Sequence, residues 1–398
     1  MVGHDRYRLL DELRGMAALI VLVFHIGTRA GGPVLFQNGY LAVDFFFMLS
    51  GFVMAEAYES RLAQGMSFAD FALRRLIRMM PVAMLGALIG GLYLLARAFA
   101  APARSDPLAE VLAANALNFL IFPKLWHGAA TGWDMFPANG PLWSLFFEIG
   151  MNFVWAAFLI GRSTRTLALL VGASAVLLVV CGLHFGTLHL GWEVGSLPGG
   201  LARVSYGFGV GLLLHRLRGQ LPAMGPRAAW LATVALVYFL ALPLTAIGWT
   251  LGVVLVCLPA VLIIAVAAGR EAVLPGGALL GRVSYPLYGV HLPLLAAIGG
   301  AVKFGTSTTD PAGGGAQIWA MPLLAPVLLG VSWGVLVLFD EPLRAWLTRR
   351  FVTFSAPRAD SVGGGGDCGL TRAQNAFVRV KTASEVNLSL REEAFAAG

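Results

Sequence analysis

Ten stretches of the sequence are apolar for long enough to be read as bilayer-crossing helices. They lie at about 9–27, 38–58, 77–99, 141–160, 166–184, 201–215, 228–244, 247–268, 279–300 and 319–339. A crossing helix needs about 20 apolar residues, and several of these runs are short or glycine-rich, as suits helices packed against each other in lipid. Composition agrees: 58% of residues are hydrophobic and 12% charged, against about 45–50% and about 25% in soluble domains. Soluble, disordered, collagen-like and disulfide-stapled chains are excluded. The expected class is an all-α polytopic membrane protein of about ten transmembrane helices, with the lipid bilayer as its first partner.

Charge sets the expected orientation. With the N-terminus in the cytoplasm, Arg6, Arg8, Arg14, Arg61, Arg74, Arg75, Arg78, Arg162, Arg165, Arg216, Arg218, Arg227, Arg270, Arg282, Arg344, Arg349 and Arg350 fall inside. Arg29, Arg97, Arg104, Lys124, Arg203 and Lys303 fall outside. That bias is the positive-inside pattern, and it puts both termini in the cytoplasm. It also explains the net charge of +7 without nucleic acid, for which no basic stretch with interleaved aromatics argues. The run at 108–122 is short for a span. If it crossed, every later loop would flip and carry its arginines outside, so it reads as re-entrant or interfacial within an external region of about 100–140. Arg6, Arg8 and Arg14 precede the apolar run 16–24, but no small-residue cleavage site follows, so the first helix is expected to be retained. Residues 1–345 form the membrane domain and 346–398, with Gly363–Gly366 and mixed charges, a flexible cytoplasmic tail. Cys181, Cys257 and Cys368 make no C-x-x-C pair, so no disulfide or thiolate metal framework is implied. The histidines form no ligand set and no metal is expected; His184 and His189 are five apart with no third ligand nearby.

Few groups in the apolar runs can do chemistry. Arg14 and His25 are eleven residues apart on one helix, which is three turns plus about 20°, so they share a face with a rise of about 16 Å. His25 then lies within the bilayer or towards its outer half, and an intramembrane ionisable residue is a candidate functional group suited to proton exchange near neutral pH. Asp44 opens the second helix on the His25 side, where a carboxylate is costly unless paired or wet. Ser50 and Gly51 permit close helix approach. Arg75 and Arg78 face one way in the loop charge after the second helix and suit phosphate groups. Glu148 is seven residues into a helix that starts outside, near the depth of His25, so the two can form an acid/base pair or a proton path. His291 in the ninth helix either lines the same cavity or is held by a backbone partner. There is no G-x-S-x-G elbow, no phosphate-binding Walker loop and no H-E-x-x-H.

Taken in order, DELRGMAA at 11–18 with His25 beyond it, VDFFFMLSGF at 43–52, RRLIRMMP at 74–81 and PLWSLFFE at 141–148 resemble the acyltransferase-3 family of integral membrane O-acyltransferases. YPLYGVH at 285–291 and Asp340, Glu341 and Pro342 extend the resemblance, which covers about residues 5–345. It implies transfer of an acyl group, commonly acetyl, from cytoplasmic acetyl-CoA or another acyl-CoA to a hydroxyl of an extracytoplasmic glycan or glycolipid, at a bacterial inner membrane. Arg14 with His25, and Arg75 with Arg78, match the family's hallmark pairs; Asp44, Ser50 and Glu148 match typical positions. Many relatives follow the Glu with another acid and an aromatic pair, whereas here Ile149, Gly150, Met151 and Asn152 follow.

On this reading Arg75, Arg78 and Arg14, with Ser50 beside them, hold the donor. His25 is the general base or a transient acyl carrier, and Glu148 or Asp44 orients its ring. Trp126, His127, Trp133 and Asp134 of the external region either hold the acceptor sugar or belong to a structural lid. The alternative class is a proton-coupled transporter using the buried His/Glu pair, which leaves the cytoplasmic Arg cluster unexplained.

Overall fold

The computed structural model describes residues 7–30, 34–243, 246–269, 275–306 and 314–352. Among these every regular element is helical. Lipid leaves a spanning chain no water for its backbone groups, so each span must satisfy them internally. Helix α1 is Arg8–Ala30, α2 Gly39–Ala63 and α3 Phe68–Ala100. The short α4 is Leu108–Phe119, followed by α5 Leu142–Leu159, α6 Thr164–Phe185 and α7 Val194–Gln220. Then come α8 Arg227–Ala241, α9 Ile247–Ala267, α10 Gly277–Thr306 and α11, 314–351.

Eight of these are long and apolar enough to cross a membrane, namely α2, α3, α5, α6, α7, α9, α10 and Leu323–Phe351 of α11. The chain is a multi-pass membrane protein. The two remaining expected spans are also helices. α1 has 23 residues with Asp11, Glu12 and Arg14 near its start. α8 has 15 residues, about 22 Å at 1.5 Å each. The run at 108–122 forms a helix of 12 residues, about 18 Å long and too short to cross. It lies along α3, where Asn115 Nδ2 donates to the Gly91 carbonyl at 3.0 Å. Arg6, Arg270, Cys368 and residues 353–398 of the tail lie outside the described residues, while 346–351, expected as the start of the tail, close the last helix.

One boundary changes what the arginines mean. The sequence places the third span at 77–99, with Arg75 and Arg78 in or beside the preceding loop. The helix starts at Phe68 instead, because the Ser67 hydroxyl caps it by accepting the Asp70 N–H at 3.0 Å, a standard N-cap. Arg75 and Arg78 are therefore carried into the bundle on a helix face.

The helices that start on the Arg14 face run parallel and touch at the backbone. α1 and α10 meet with Arg14 against Gly281 and Ser284 and His25 against His291. α3 joins them, with Met79 at Tyr285 and Val82 at Gly289. A second parallel pair is α2 with α7, where Asp44 meets Arg203 and Glu56 meets His215. Glycines make these approaches possible. A Cβ on Gly15 would run into the Leu280 backbone, and one on Gly51 into the Phe208 carbonyl. Apolar side chains that would be a liability in water, such as Leu92, Phe99, Val176, Val256 and Leu338, cover the outside as a lipid-facing coat.

Gly51→Ala should cost about 1–3 kcal/mol through overpacking. A Cβ on Gly150, by contrast, meets nothing within 4 Å, so Gly150→Ala should be neutral or stabilise by about 0.5–1 kcal/mol. Thermal unfolding of the two detergent-purified variants would read the opposite signs.

Candidate active site

His25 sits one turn from the end of α1, its Nδ1 2.9 Å from Nε2 of His291. His291 is 1% exposed, and its own Nδ1 lies 2.9 Å from the Leu287 carbonyl and 3.1 Å from that of Tyr288. A carbonyl can only accept, so His291 Nδ1 carries the hydrogen. In a neutral ring Nε2 is then a lone pair. It must accept from His25 Nδ1–H, which leaves the lone pair of His25 on Nε2. The helix backbone thus sets one histidine's tautomer and that ring sets the other's, the second-partner logic by which imidazole bases are held. His291 both has its backbone partner and belongs to the site.

The carboxylates expected to orient His25 are occupied elsewhere. Asp44 is 1% exposed and bound through both oxygens by Arg203, at 3.0 Å from Nε and 2.7 Å from Nη2. Arg203 also donates to the carbonyls of Leu190 at 2.8 Å and Tyr40 at 3.2 Å and lies 5.0 Å over the Trp143 ring. The sequence puts Arg203 near the outer end of the helix at 201–215 and counts it with the external charge; the structure buries it completely. Asp44 therefore holds α2 to α7. The signal for a partner was present in the cost of a buried carboxylate, but nothing in the sequence says which arginine supplies it.

Glu148 belongs with Ser50 and Arg75. Its Oε1 accepts from Ser50 Oγ at 2.6 Å and lies 3.6 Å from Arg75 Nη2. Glu148 stands with Ser50 and Arg75, and the ring partner of His25 is His291. Counting residues along one helix gives a depth, but not the neighbour that the side chain faces.

Around this pair the Arg face has spare capacity for an anion. Arg75 is 9% exposed, its Nη2 donates to Met79 Sδ at 3.2 Å, and its buried Nε has no hydrogen-bond partner. Arg78, one turn on, lies 5.9 Å over the Tyr285 ring, whose hydroxyl donates to the Met79 carbonyl. Arg14 and Asp340 are in electrostatic reach of Arg78. Arg14 is more committed: Nε donates to Ser284 at 2.9 Å, Nη2 to Gly281 at 3.1 Å, and Nη1 pairs with Asp11 at 2.9 Å. It clamps α1 to α10. Five helices thus deliver Arg14, Ser50, Arg75, Arg78, Glu148 and Tyr285 to one face, while His25 and His291 lie about 16 Å along α1 from Arg14.

On the His25 face, 100–142 is tightly built. Asp106 accepts from the Ala130 N–H at 2.6 Å and the Thr131 hydroxyl at 2.5 Å. Burial pushes its carboxyl up, but these bonds outweigh it and hold the group below the ordinary range. Lys124 donates to Thr131 and the Gly132 carbonyl, and Asn118 bonds the carbonyls of Phe122 and Met135. Trp126 lies beside Lys124, and His127 packs edge-on against Trp133. Among the described residues no group of three His, Cys, Asp or Glu could hold a metal ion.

Comparison with known proteins adds a consistent result. The family model described as an acyltransferase domain matches residues 8–339. "Protein 2 in picA locus" of Rhizobium radiobacter is 32% identical over 195 residues, 46% of this chain and 97% of that protein. "Putative peptidoglycan O-acetyltransferase YrhL" of Bacillus subtilis is 30% identical over 196 residues, 44% of this chain and 29% of that protein. "Putative membrane-bound transacylase BcsY" of Komagataeibacter xylinus is 24% identical over 341 residues, 82% of each chain. No solved structure matches significantly.

Cutting the Asp44–Arg203 pair on one side should be severe. Asp44→Ala or Arg203→Ala leaves a buried charge unpaired and should cost about 3–5 kcal/mol. The double variant should cost less than the sum of the two, in a double-mutant cycle read by thermal unfolding in detergent.

Proposed function

Because this chain belongs to the acyltransferase-3 family and is an acyltransferase enzyme, we propose that it moves an acyl group, acetyl in the simplest case, from acyl-CoA to a hydroxyl of an extracytoplasmic glycan. The protein would sit in the bacterial inner membrane with the Arg14 face in the cytoplasm. The observation that carries this reading is the tautomer chain, in which the Leu287 and Tyr288 carbonyls, His291 and His25 leave the His25 Nε2 lone pair to act as base.

Arg75 and Arg78 hold the donor's phosphates. The unpartnered, buried Nε of Arg75 fits an anion, since a guanidinium grips phosphate through paired N–H groups. Glu148, bonded to Ser50, keeps Arg75 in place from the opposite side. Arg14 holds α1 against α10, which sets the distance from this face to His25. An extended thioester arm running along α1 bridges about 16 Å and brings its carbonyl to the histidine.

There His25 Nε2 takes the proton of the acceptor hydroxyl as its oxygen attacks the thioester carbonyl. The His25 imidazolium so formed keeps its Nδ1–H on His291, whose lone pair faces it. Collapse of the tetrahedral intermediate expels the CoA thiolate, which recovers the proton. Chemistry and acceptor then lie on the far side of the membrane from the donor's nucleotide. Glycan acetylation fits the name of YrhL, a putative peptidoglycan O-acetyltransferase, which supports a saccharide acceptor here.

With radiolabelled acetyl-CoA and crude cell-envelope glycan, wild-type protein should transfer label to saccharide. His25→Ala of equal stability should lose roughly 10²–10⁴-fold. His291→Ala should fall between the two, because only the tautomer lock is lost. Arg75→Ala should raise the KM for acetyl-CoA far more than it lowers kcat. Equal transfer by wild type and His25→Ala would remove His25 from catalysis.

A further inference from the structure

The loop between α6 and α7 forms a cleft of about 380 Å³ on the His25 face. That size lies within the range of about 300–1,000 Å³ usual for small-ligand sites. Its polar and aromatic lining comes from Thr187, His189, Trp192 and Glu193. We propose that this cleft is the acceptor subsite, binding a neutral pyranose of the glycan chain with its ring on Trp192 and its hydroxyls on Glu193 and His189. The proposal rests on the functional reading above and adds where the acceptor lies and what class it belongs to.

Three observations carry it. First, the cleft lies beside the base, joined to it by a chain of packed rings. The His189 ring lies 5.7 Å from Trp192 on one side and 5.1 Å from Tyr40 on the other. Tyr40 is 6.3 Å from Phe24, the chain neighbour of His25. His189 is itself in electrostatic reach of His25.

Second, the lining is built in advance. Trp192 Nε1 donates to the His189 carbonyl at 3.0 Å. Ser196 Oγ accepts from the Gly191 N–H at 2.9 Å and donates to the Glu193 carbonyl at 3.0 Å. Arg203 takes the Leu190 carbonyl, and the Met135 N–H takes that of Trp192 at 3.1 Å. The loop is tied to α7 beneath and to the 100–142 region above, so binding need not order it.

Third, the spare groups match a sugar. Neither the His189 ring nitrogens nor the Glu193 carboxylate has a hydrogen-bond partner among the described residues. An ionised carboxylate is acceptor-only and suits neighbouring hydroxyls, while a flat indole offers an apolar face to a ring. The two neighbouring carboxylates select against an acidic glycan, although Lys124 and Arg29 act on Asp134 in the opposite sense. Asp134 bridges to Glu193 through the backbone, and burial together with the Glu193 carboxylate raises the Asp134 carboxyl above its ordinary value. A uronate would add a third carboxylate there.

The test uses full-length protein in detergent with three probes: the tetrasaccharides of β-1,4-linked glucose and of β-1,4-linked N-acetylglucosamine, and tetragalacturonate as the anionic control. Binding is read by saturation-transfer NMR, and acetyl-CoA binding and consumption are measured alongside. Wild type should bind at least one neutral probe in preference to tetragalacturonate. Trp192→Ala should abolish this binding. Glu193→Gln, which breaks no internal bond, should weaken it about tenfold, the size of one hydrogen bond to a charged group. Trp126→Ala should change nothing, and acetyl-CoA binding should be unaltered throughout.

Failure of wild type to bind either neutral probe, preference for the anionic probe, or unchanged binding in Glu193→Gln would overturn the proposal. So would loss of binding in Trp126→Ala but not in Trp192→Ala. Acetyl-CoA consumption with no effect of the cleft variants would sink the subsite and leave the enzyme reading standing. Saccharide binding through Trp192 and Glu193 without acetyl-CoA consumption would do the reverse.

Discussion

Parallel packing of α1 against α10, closed to backbone contact at Gly15, decides where every other group in the site can stand. Two parallel helices rise equally per residue, so the offset set at one end carries along the pair. Arg14 against Gly281 and Ser284 at the start becomes His25 against His291 further along. A larger residue at position 15 would separate the axes and remove the imidazole pair and the arginine clamp together. Small residues do this work in lipid because no hydrophobic force drives apolar helices together there, and close dispersion contact must serve instead.

Around that pair the buried charges divide by task. Asp44 and Arg203 are matched bidentately and share no group with His25, so they hold α2, α7 and the loop before α7 in one arrangement. Glu148 is matched only in part. One oxygen takes the Ser50 hydroxyl and stands 3.6 Å from Arg75, whose Nε is left over. A fully satisfied ion pair fixes geometry, whereas an incompletely satisfied one in a bundle interior has capacity for a ligand. The same contrast separates Arg14, engaged at all three guanidinium nitrogens, from Arg75 and Arg78.

His25 uses neither carboxylate. Its partner is another imidazole, locked by helix carbonyls one turn earlier in α10. A neutral partner steers the tautomer without placing a second full charge in the bilayer, where ionised groups are expensive. It also explains why two histidines from helices far apart in sequence lie side by side.

By itself the sequence determined the class of the fold, the approximate places of its helices, the short element near 108–122, and the sharing of one α1 face by Arg14 and His25. Each of these follows from hydrophobic run length or helical period, and both are properties of a single stretch of chain. The start of α3 was missed by some nine residues because a serine cap prolongs the helix beyond its apolar part. Only the tertiary structure decided which partner each polar group took. Ser50 found Glu148 across 98 residues, Arg203 found Asp44 across 159, and His25 found His291 across 266. The cost of burying a charge or a ring nitrogen is written locally and says that a partner must exist. Which partner it is depends on how tilted helices meet, and that is set by the small residues at which their backbones touch.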